Sequence, residues 1–210
     1  MGERKRRAQD RDATRRRRRL NAIVGAVVVV LLVLGSVLAT RLSSSSAAAD
    51  SDSTVRPCPT ASASPLPQTD LPDQSLECLG SGPALNFASL AGKPTIINVW
   101  ASWCPPCVAE LPWIAAFDDR AKGAVQVIGV DVSDDRISAL SMLRSAGVHY
   151  PSVFDPQAAT RGTLQWSGTP ITLFIDANGT VVHREEGRMP DATSVELLAR
   201  QYLGVTLPAN

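Results

Sequence analysis

The chain is built around Trp103-Cys104-Pro105-Pro106-Cys107, which follows directly on the apolar run Thr95-Ile96-Ile97-Asn98-Val99-Trp100 and leads into Val108-Ala109-Glu110-Leu111. The run is rich in β-branched and aromatic residues and predicts a buried strand. Pro105 falls where a first helical residue would sit, and proline is tolerated there because the N–H it lacks would be unpaired anyway. The helix can therefore begin at the cysteines. A strand that hands two cysteines to the first turn of a helix is an arrangement for thiol chemistry, since the unpaired amides and positive dipole end stabilise a thiolate. Cys104 is the candidate nucleophile. Cys107, one turn further in, is close enough to form a disulfide with it and is expected to be shielded by the helix, leaving Cys104 as the exposed partner. Such a pair passes between dithiol and disulfide without any cofactor.

Far downstream, Gly168-Thr169-Pro170 precedes a second apolar run, Ile171-Thr172-Leu173-Phe174-Ile175. A proline at the mouth of a strand is confined to an edge or a special turn, and a cis X–Pro bond is one way to present it. The segment from Val99 to Cys107, then Glu110-Leu111-Pro112, and later Gly168-Thr169-Pro170 with Phe174-Ile175-Asp176 and Gly179, resemble the thioredoxin superfamily. Within it the chain resembles the membrane-anchored TlpA/ResA-type thiol–disulfide oxidoreductases, over roughly Gly80 to Leu203. The resemblance implies an α/β thioredoxin fold, a central mixed sheet flanked by helices. It also implies that Cys104 attacks the partner, that Cys107 resolves, and that Pro170 is the cis proline facing the disulfide. Trp103, Pro105, Pro106 and Thr169 would face the substrate. Glu110 matches an acidic residue that this group carries near its site and is the candidate for relaying protons to Cys107. Its simpler role is that of a first-turn glutamate favoured by the helix dipole. One departure stands out: cytosolic thioredoxins carry a buried Asp six residues before the first cysteine, where this chain has Asn98.

Rival readings of the two cysteines fit less well. A zinc site needs two further ligands, and Cys58, Cys78, His149 and His183 offer no close pair. A copper chaperone of the Sco type resembles this fold but uses a CxxxC spacing with a distal His. Peroxidases of the fold place their cysteine in a PxxxTxxC pattern, whereas Ala101-Ser102-Trp103 precede Cys104 here. Trp100 reads as core and Trp103 as a surface flank of the cysteines. Pro112 is expected to kink the helix, and the two histidines read as ordinary residues.

Charge is segregated along the 210 residues, so the formal net charge of +1 conceals two regions of opposite sign. Residues 1–20 hold ten Lys/Arg against Glu3, Asp10 and Asp12, a net of +7, and the remainder carries −6. The basic arm precedes Ala22 to Ala39, an apolar stretch of 18 residues broken only by Ser36. That length reaches the lower end of the roughly 17–25 residues that span a bilayer. The arginines should remain cytoplasmic and the rest be exported. These expectations divide the chain into a basic cytoplasmic tail (1–21), a transmembrane signal-anchor (22–40), a flexible Ser/Ala/Pro-rich tether (41–74) and a thioredoxin-like domain (75–210). A cleaved signal peptide ending near Ala47-Ala48-Ala49 is the alternative, although the apolar run exceeds the usual h-region of about 7–15 residues. No cysteine follows the run closely, which argues against a lipid anchor, and the folded part has nothing to suggest nucleic acid binding.

In an oxidising compartment an even cysteine count argues for pairing, so with Cys104 joined to Cys107 the remaining pair is Cys58–Cys78. Leu85-Asn86-Phe87-Ala88 reads as a short strand. The continuous run Val125 to Asp131 reads as a strand covered on both faces. Ser133-Asp134-Asp135 caps a helix carrying Ile137, Leu140, Met142 and Leu143. Pro151 to Phe154 reads as extended, Ala158 to Trp166 as a short helix, and Ile171 to Arg184 as a hairpin turning at Asn178-Gly179. Asp191 opens a closing helix whose Val195, Leu197, Leu198 and Leu203 can pack on the sheet. The expected protein is a single-pass exported oxidoreductase, requiring no metal and no cofactor, that exchanges disulfides with cysteine-bearing exported proteins. The resemblance implies a reductant in cytochrome c maturation acting on apocytochrome c, with a membrane thiol–disulfide donor or acceptor behind it. An oxidative, DsbA/DsbE-like role and a metal-binding chaperone are the alternatives.

Overall fold

The central strand β3 (Thr95–Trp100) is buried at every residue, as its near-continuous apolar sequence requires of a strand covered on both faces. The structure is a computed structural model and describes residues 55–60 and 69–207. On one side of β3 run the parallel strands β4 (Gln126–Val132) and β5 (Ser152–Asp155). On its other side lie the antiparallel hairpin strands β6 (Ile171–Ile175) and β7 (Val181–Glu186). Two short antiparallel strands, β1 (Ser75–Cys78) and β2 (Leu85–Asn86), complete the seven-stranded order β2-β1-β5-β4-β3-β6-β7. The helices are α1 (Pro105–Ala121), α2 (Arg136–Ser145), the single turn α3 (Thr160–Thr163) and α4 (Ala192–Leu203).

Strand alternation divides the core in two. Ile96 and Trp100 point to the face covered by Leu111 and Ile114 of α1, Leu143 of α2 and Val195 of α4. Ile97 and Val99 point to the other face, where Phe87, Leu90, Leu164 and Trp166 close the layer. This is the expected mixed sheet flanked by helices, and the hairpin turns where it should, with Gly179 at a φ of +83°.

The structure revises several local expectations. The strand read at Leu85–Ala88 stops at Asn86, whose side chain accepts from the Ala88 N–H at 2.9 Å and starts a 3-10 turn, Phe87–Leu90. The helix read over Ala158–Trp166 is confined to Thr160–Thr163 because Ala158 and Gln165 adopt positive φ. Ile137 is 81% exposed and Leu197 57%, so neither packs on the sheet; Ala139 and Ala199 occupy the inward positions instead. The helix α1 continues through Pro112 to Ala121.

The domain also begins earlier than residue 75. Val55, Cys58 and Leu71 are buried in its core. The backbone N–H of Arg56 donates to the His149 carbonyl at 2.8 Å, and its guanidinium pairs with the buried Asp118 of α1. Thr69 donates to the Gly179 carbonyl at 2.9 Å, and the Asp70 carboxylate accepts from the Val181 N–H at 3.0 Å. Single apolar anchors set in a Ser/Ala/Pro-rich stretch carry no periodicity, so by composition alone they read as tether. The basic tail, the membrane-anchor stretch 22–40 and the rest of the tether lie outside the described residues. Among the described residues no helix is long and apolar enough to cross a membrane.

Cys58 and Cys78 are disulfide-bonded, with a Cα separation of 5.9 Å, joining the leading segment to β1. Closing a loop of 20 residues restricts the unfolded chain enough to contribute about 3 kcal/mol in the entropic account. The double variant Cys58→Ser/Cys78→Ser is therefore expected to lose about 3 kcal/mol in denaturant unfolding while retaining disulfide exchange. Loss of exchange in a folded variant would make this pair a participant in the cycle.

Candidate active site

The sequence starts α1 at the cysteines, and the structure shows how. Cys104 is the N-cap, with extended φ and ψ of −98° and 100°, and its Sγ accepts from the Cys107 N–H at 3.3 Å. Pro105 and Pro106 follow in the first turn, where no intrahelical N–H is needed. Cys104 and Cys107 are joined in a disulfide whose Cα atoms lie 5.3 Å apart. Cys107 is wholly buried, as expected. Cys104 is not the exposed residue that was expected: in the disulfide form only 4% of it reaches solvent, because its sulfur is drawn back onto the helix terminus. What stands out at the surface is Trp103, 58% exposed, with Pro105 and Pro106 beside it. The Thr169–Pro170 bond is cis. Val99 pairs with Ile171, so Pro170 lies opposite the end of β3 from which the chain runs to Cys104. Pro170 is buried and Thr169 half-buried.

One turn along α1 from Cys107 lies a buried carboxyl. Glu110 is 1% exposed; its Oε1 accepts from Asn98 Nδ2 at 2.8 Å and its Oε2 from the Met189 N–H at 3.1 Å. Asn98 Nδ2 also donates to Thr172 Oγ1 at 3.1 Å. Burial pushes the Glu110 carboxyl from 4.5 up to about 7, outweighing the hydrogen bonds from Met189 and Asn98 and the nearby charge of Arg188. Asn98 cannot supply an acid from the strand, but it holds one that arrives from the helix. A carboxyl with a pKa near neutrality, three residues from Cys107 on the same helix, suits proton transfer.

A second acidic group supports the turn before Cys104, and the sequence reading missed it. Asp134 Oδ2 accepts from the Ser102 N–H at 2.6 Å, and its Oδ1 accepts from Ser102 Oγ at 2.9 Å. Trp103 Nε1 donates to the Ser133 carbonyl at 2.9 Å. The cap of α2 is Asp135 alone, which accepts from the Ser138 N–H at 2.9 Å. Asp131 is fully buried beneath this loop, and burial, followed by the neighbouring Asp134 charge, pushes its carboxyl up to about 9. The available signal was an acid inside the buried run Val130-Asp131-Val132. The other cysteines are taken up in the Cys58–Cys78 bond. His149 contributes its carbonyl to the leading segment, and His183 lies on β7. Among the described residues no cluster of His, Cys, Asp or Glu is arranged to hold a metal ion.

A disulfide at a helix N-terminus, a cis proline opposite the strand that leads to it and an acid buried one turn further along the helix define a thiol–disulfide oxidoreductase on the thioredoxin fold. Residues 65–199 match the Redoxin family, to which this chain belongs, and its relatives make it an oxidoreductase of the DsbE/ResA type. It is 34% identical over 171 residues to the thiol:disulfide interchange protein DsbE of Vibrio cholerae, covering 80% of this chain and 87% of that protein. To the thiol-disulfide oxidoreductase ResA of Bacillus subtilis it is 28% identical over 141 residues, 67% of this chain and 75% of the other. A thioredoxin-family thiol:disulfide interchange protein from Chlorobium tepidum superposes with a TM-score of 0.55 at 25% identity, covering 68% of this chain and 99% of the other.

Proposed function

We propose that the protein is a membrane-anchored, extracytoplasmic reductant that delivers electrons to disulfides in exported proteins, apocytochrome c among them. The cycle runs through Cys104 and Cys107. The Cys104 thiolate attacks a partner disulfide, forming a mixed disulfide and releasing one partner thiolate. The Cys107 thiol gives its proton to Glu110, and the resulting thiolate attacks Cys104 Sγ. The second partner sulfur then leaves, and the disulfide present in the structure is formed. A membrane thiol–disulfide donor restores the dithiol. The basic residues 1–21 remain cytoplasmic, 22–40 anchor the chain, and the domain works outside.

The observation that carries the reductive direction is the buried Glu110 carboxyl one turn along α1 from Cys107. Strong oxidants of this fold owe their potential to a stabilised thiolate in the reduced form. A carboxylate beside the dithiol opposes that thiolate, favours the disulfide, and so makes the couple reducing. The potential of the Cys104–Cys107 couple, measured by equilibration with glutathione or thioredoxin, is expected nearer about −270 mV than about −120 mV. A value on the oxidising side of about −180 mV would favour the oxidative folding role instead.

A further inference from the structure

A row of side chains crosses the sheet beneath Glu110. Asn98 of β3 pairs in register with Thr172 of β6, and Thr172 pairs with Glu185 of β7. Residues directly opposite one another on neighbouring strands share a face, their Cβ atoms about 5 Å apart. All three therefore lie on the side of the sheet that Glu110 occupies. Asn98 Nδ2 ties the row to the helix by bonding both Glu110 Oε1 and Thr172 Oγ1, at 2.8 and 3.1 Å. The row ends at Glu185, whose Oε2 lies 3.1 Å from His183 Nε2. His183 is itself fixed, stacked on Tyr202 of α4 with ring centroids 4.1 Å apart and planes 2° from parallel. Glu110 is bonded by Asn98 and the Met189 N–H, Thr172 lies behind Asn98, and the further titratable or charged groups around it are Arg188, Tyr150 and Glu185, with Cys107 three residues before it on α1. Glu185 is the carboxylic acid among them.

We propose that Glu185, held in place by His183 at the end of the row that runs through Thr172 and Asn98, is a positioning residue for Glu110, its charge strengthening the grip of Glu110 on the proton taken from Cys107. The proposal rests on the reading of Glu110 as the base for Cys107. In the resolving step the Cys107 proton passes to the Glu110 carboxylate, a bond forms between Cys107 and Cys104 sulfurs, and the bond from Cys104 to the partner breaks. Glu185 exchanges no atom in this step and acts only through its charge. The edge strand β7 thereby joins the site.

The test uses the full chain, reduced, with Cys104 loaded with 5-thio-2-nitrobenzoate. Release of the coloured thiolate by Cys107 is followed from about pH 5 to pH 9. Glu185→Gln is expected to move the midpoint of that profile down by about 0.5–1 pH unit. Glu186→Gln, an exposed residue whose register partner Ile171 lies on the opposite face, is expected to leave it in place. Adding Glu185→Gln to Glu110→Gln should change nothing further. An unmoved midpoint in Glu185→Gln, an equal shift in Glu186→Gln, or a shift that persists without Glu110 each overturns the proposal. If Glu110→Gln alone leaves the wild-type profile unchanged, the base assignment fails and takes this proposal with it. A profile altered by Glu110→Gln and untouched by Glu185→Gln removes this proposal alone.

Discussion

Replacing Cys107 with Ala is expected to stop the cycle at the mixed disulfide, lowering turnover by at least about a thousandfold, because an intramolecular attack is replaced by one from dilute external thiol. The variant should accumulate covalent complexes with its partners, visible as species that a reducing gel removes. Cys104→Ala should form none. The geometry supports this order of events: Cys104 is the N-cap with its sulfur at the helix terminus, and Cys107 is sealed inside. In the reduced protein Cys104 should accordingly be alkylated much faster than Cys107. Covalent complexes trapped by Cys104→Ala instead would reverse the two roles.

The second large effect belongs to Glu110. Its carboxyl has a folded-state pKa of about 7 in the disulfide form against an ordinary 4.5, so the folded protein holds this proton more tightly than the unfolded chain. The associated stability is fully present below about pH 4.5 and is lost as pH rises through about 7. That difference corresponds to about 3 kcal/mol. Unfolding of the oxidised protein across that range should show wild type losing about 3 kcal/mol relative to Glu110→Gln, with Asp131 and Asp118 cancelling in the comparison because both proteins retain them. A parallel pair of stability curves would mean that the carboxyl is hydrated in solution and titrates normally. Kinetically the same variant should have lower apparent thiol pKa values, since the neighbouring charge is gone. It should nevertheless resolve mixed disulfides about a hundredfold more slowly, for want of a base. The acid that serves the chemistry therefore costs stability at the pH where it is used.

Much of this site is legible in the sequence because it is local. The strand, the proline at the first helical position, and the cysteine spacing lie within thirteen consecutive residues, Thr95 to Cys107, and each constrains the next. Pro170 is legible as an oddity at a strand entrance. What escapes notice is set by pairing across the sheet. Thr172 and Glu185 are unremarkable residues of a hairpin until the register places them in line with Asn98. Asp134 looks like one of three interchangeable caps, Ser133-Asp134-Asp135, and only the folded loop shows that Asp135 caps while Asp134 holds Ser102. Exposure is likewise poorly encoded: Ile137 and Leu197 have the composition of core residues, but the angular position around their helices turns both outward.

The attachment of the leading segment has a geometric consequence. Cys104 opens α1, whereas Asp118, which pairs with Arg56, lies fourteen residues further along the same helix, about 20 Å away at 1.5 Å per residue. Val55 and Arg56 enter the domain there, beside His149 and just ahead of β5. The leading segment is thus gripped at the end of α1 opposite its reactive end, and the Cys58–Cys78 bond ties its next residues to β1. The dithiol and the attachment of the leading segment thus stand at opposite ends of α1, so a partner that engages Cys104 meets a different part of the domain from the one that Val55 and Arg56 occupy.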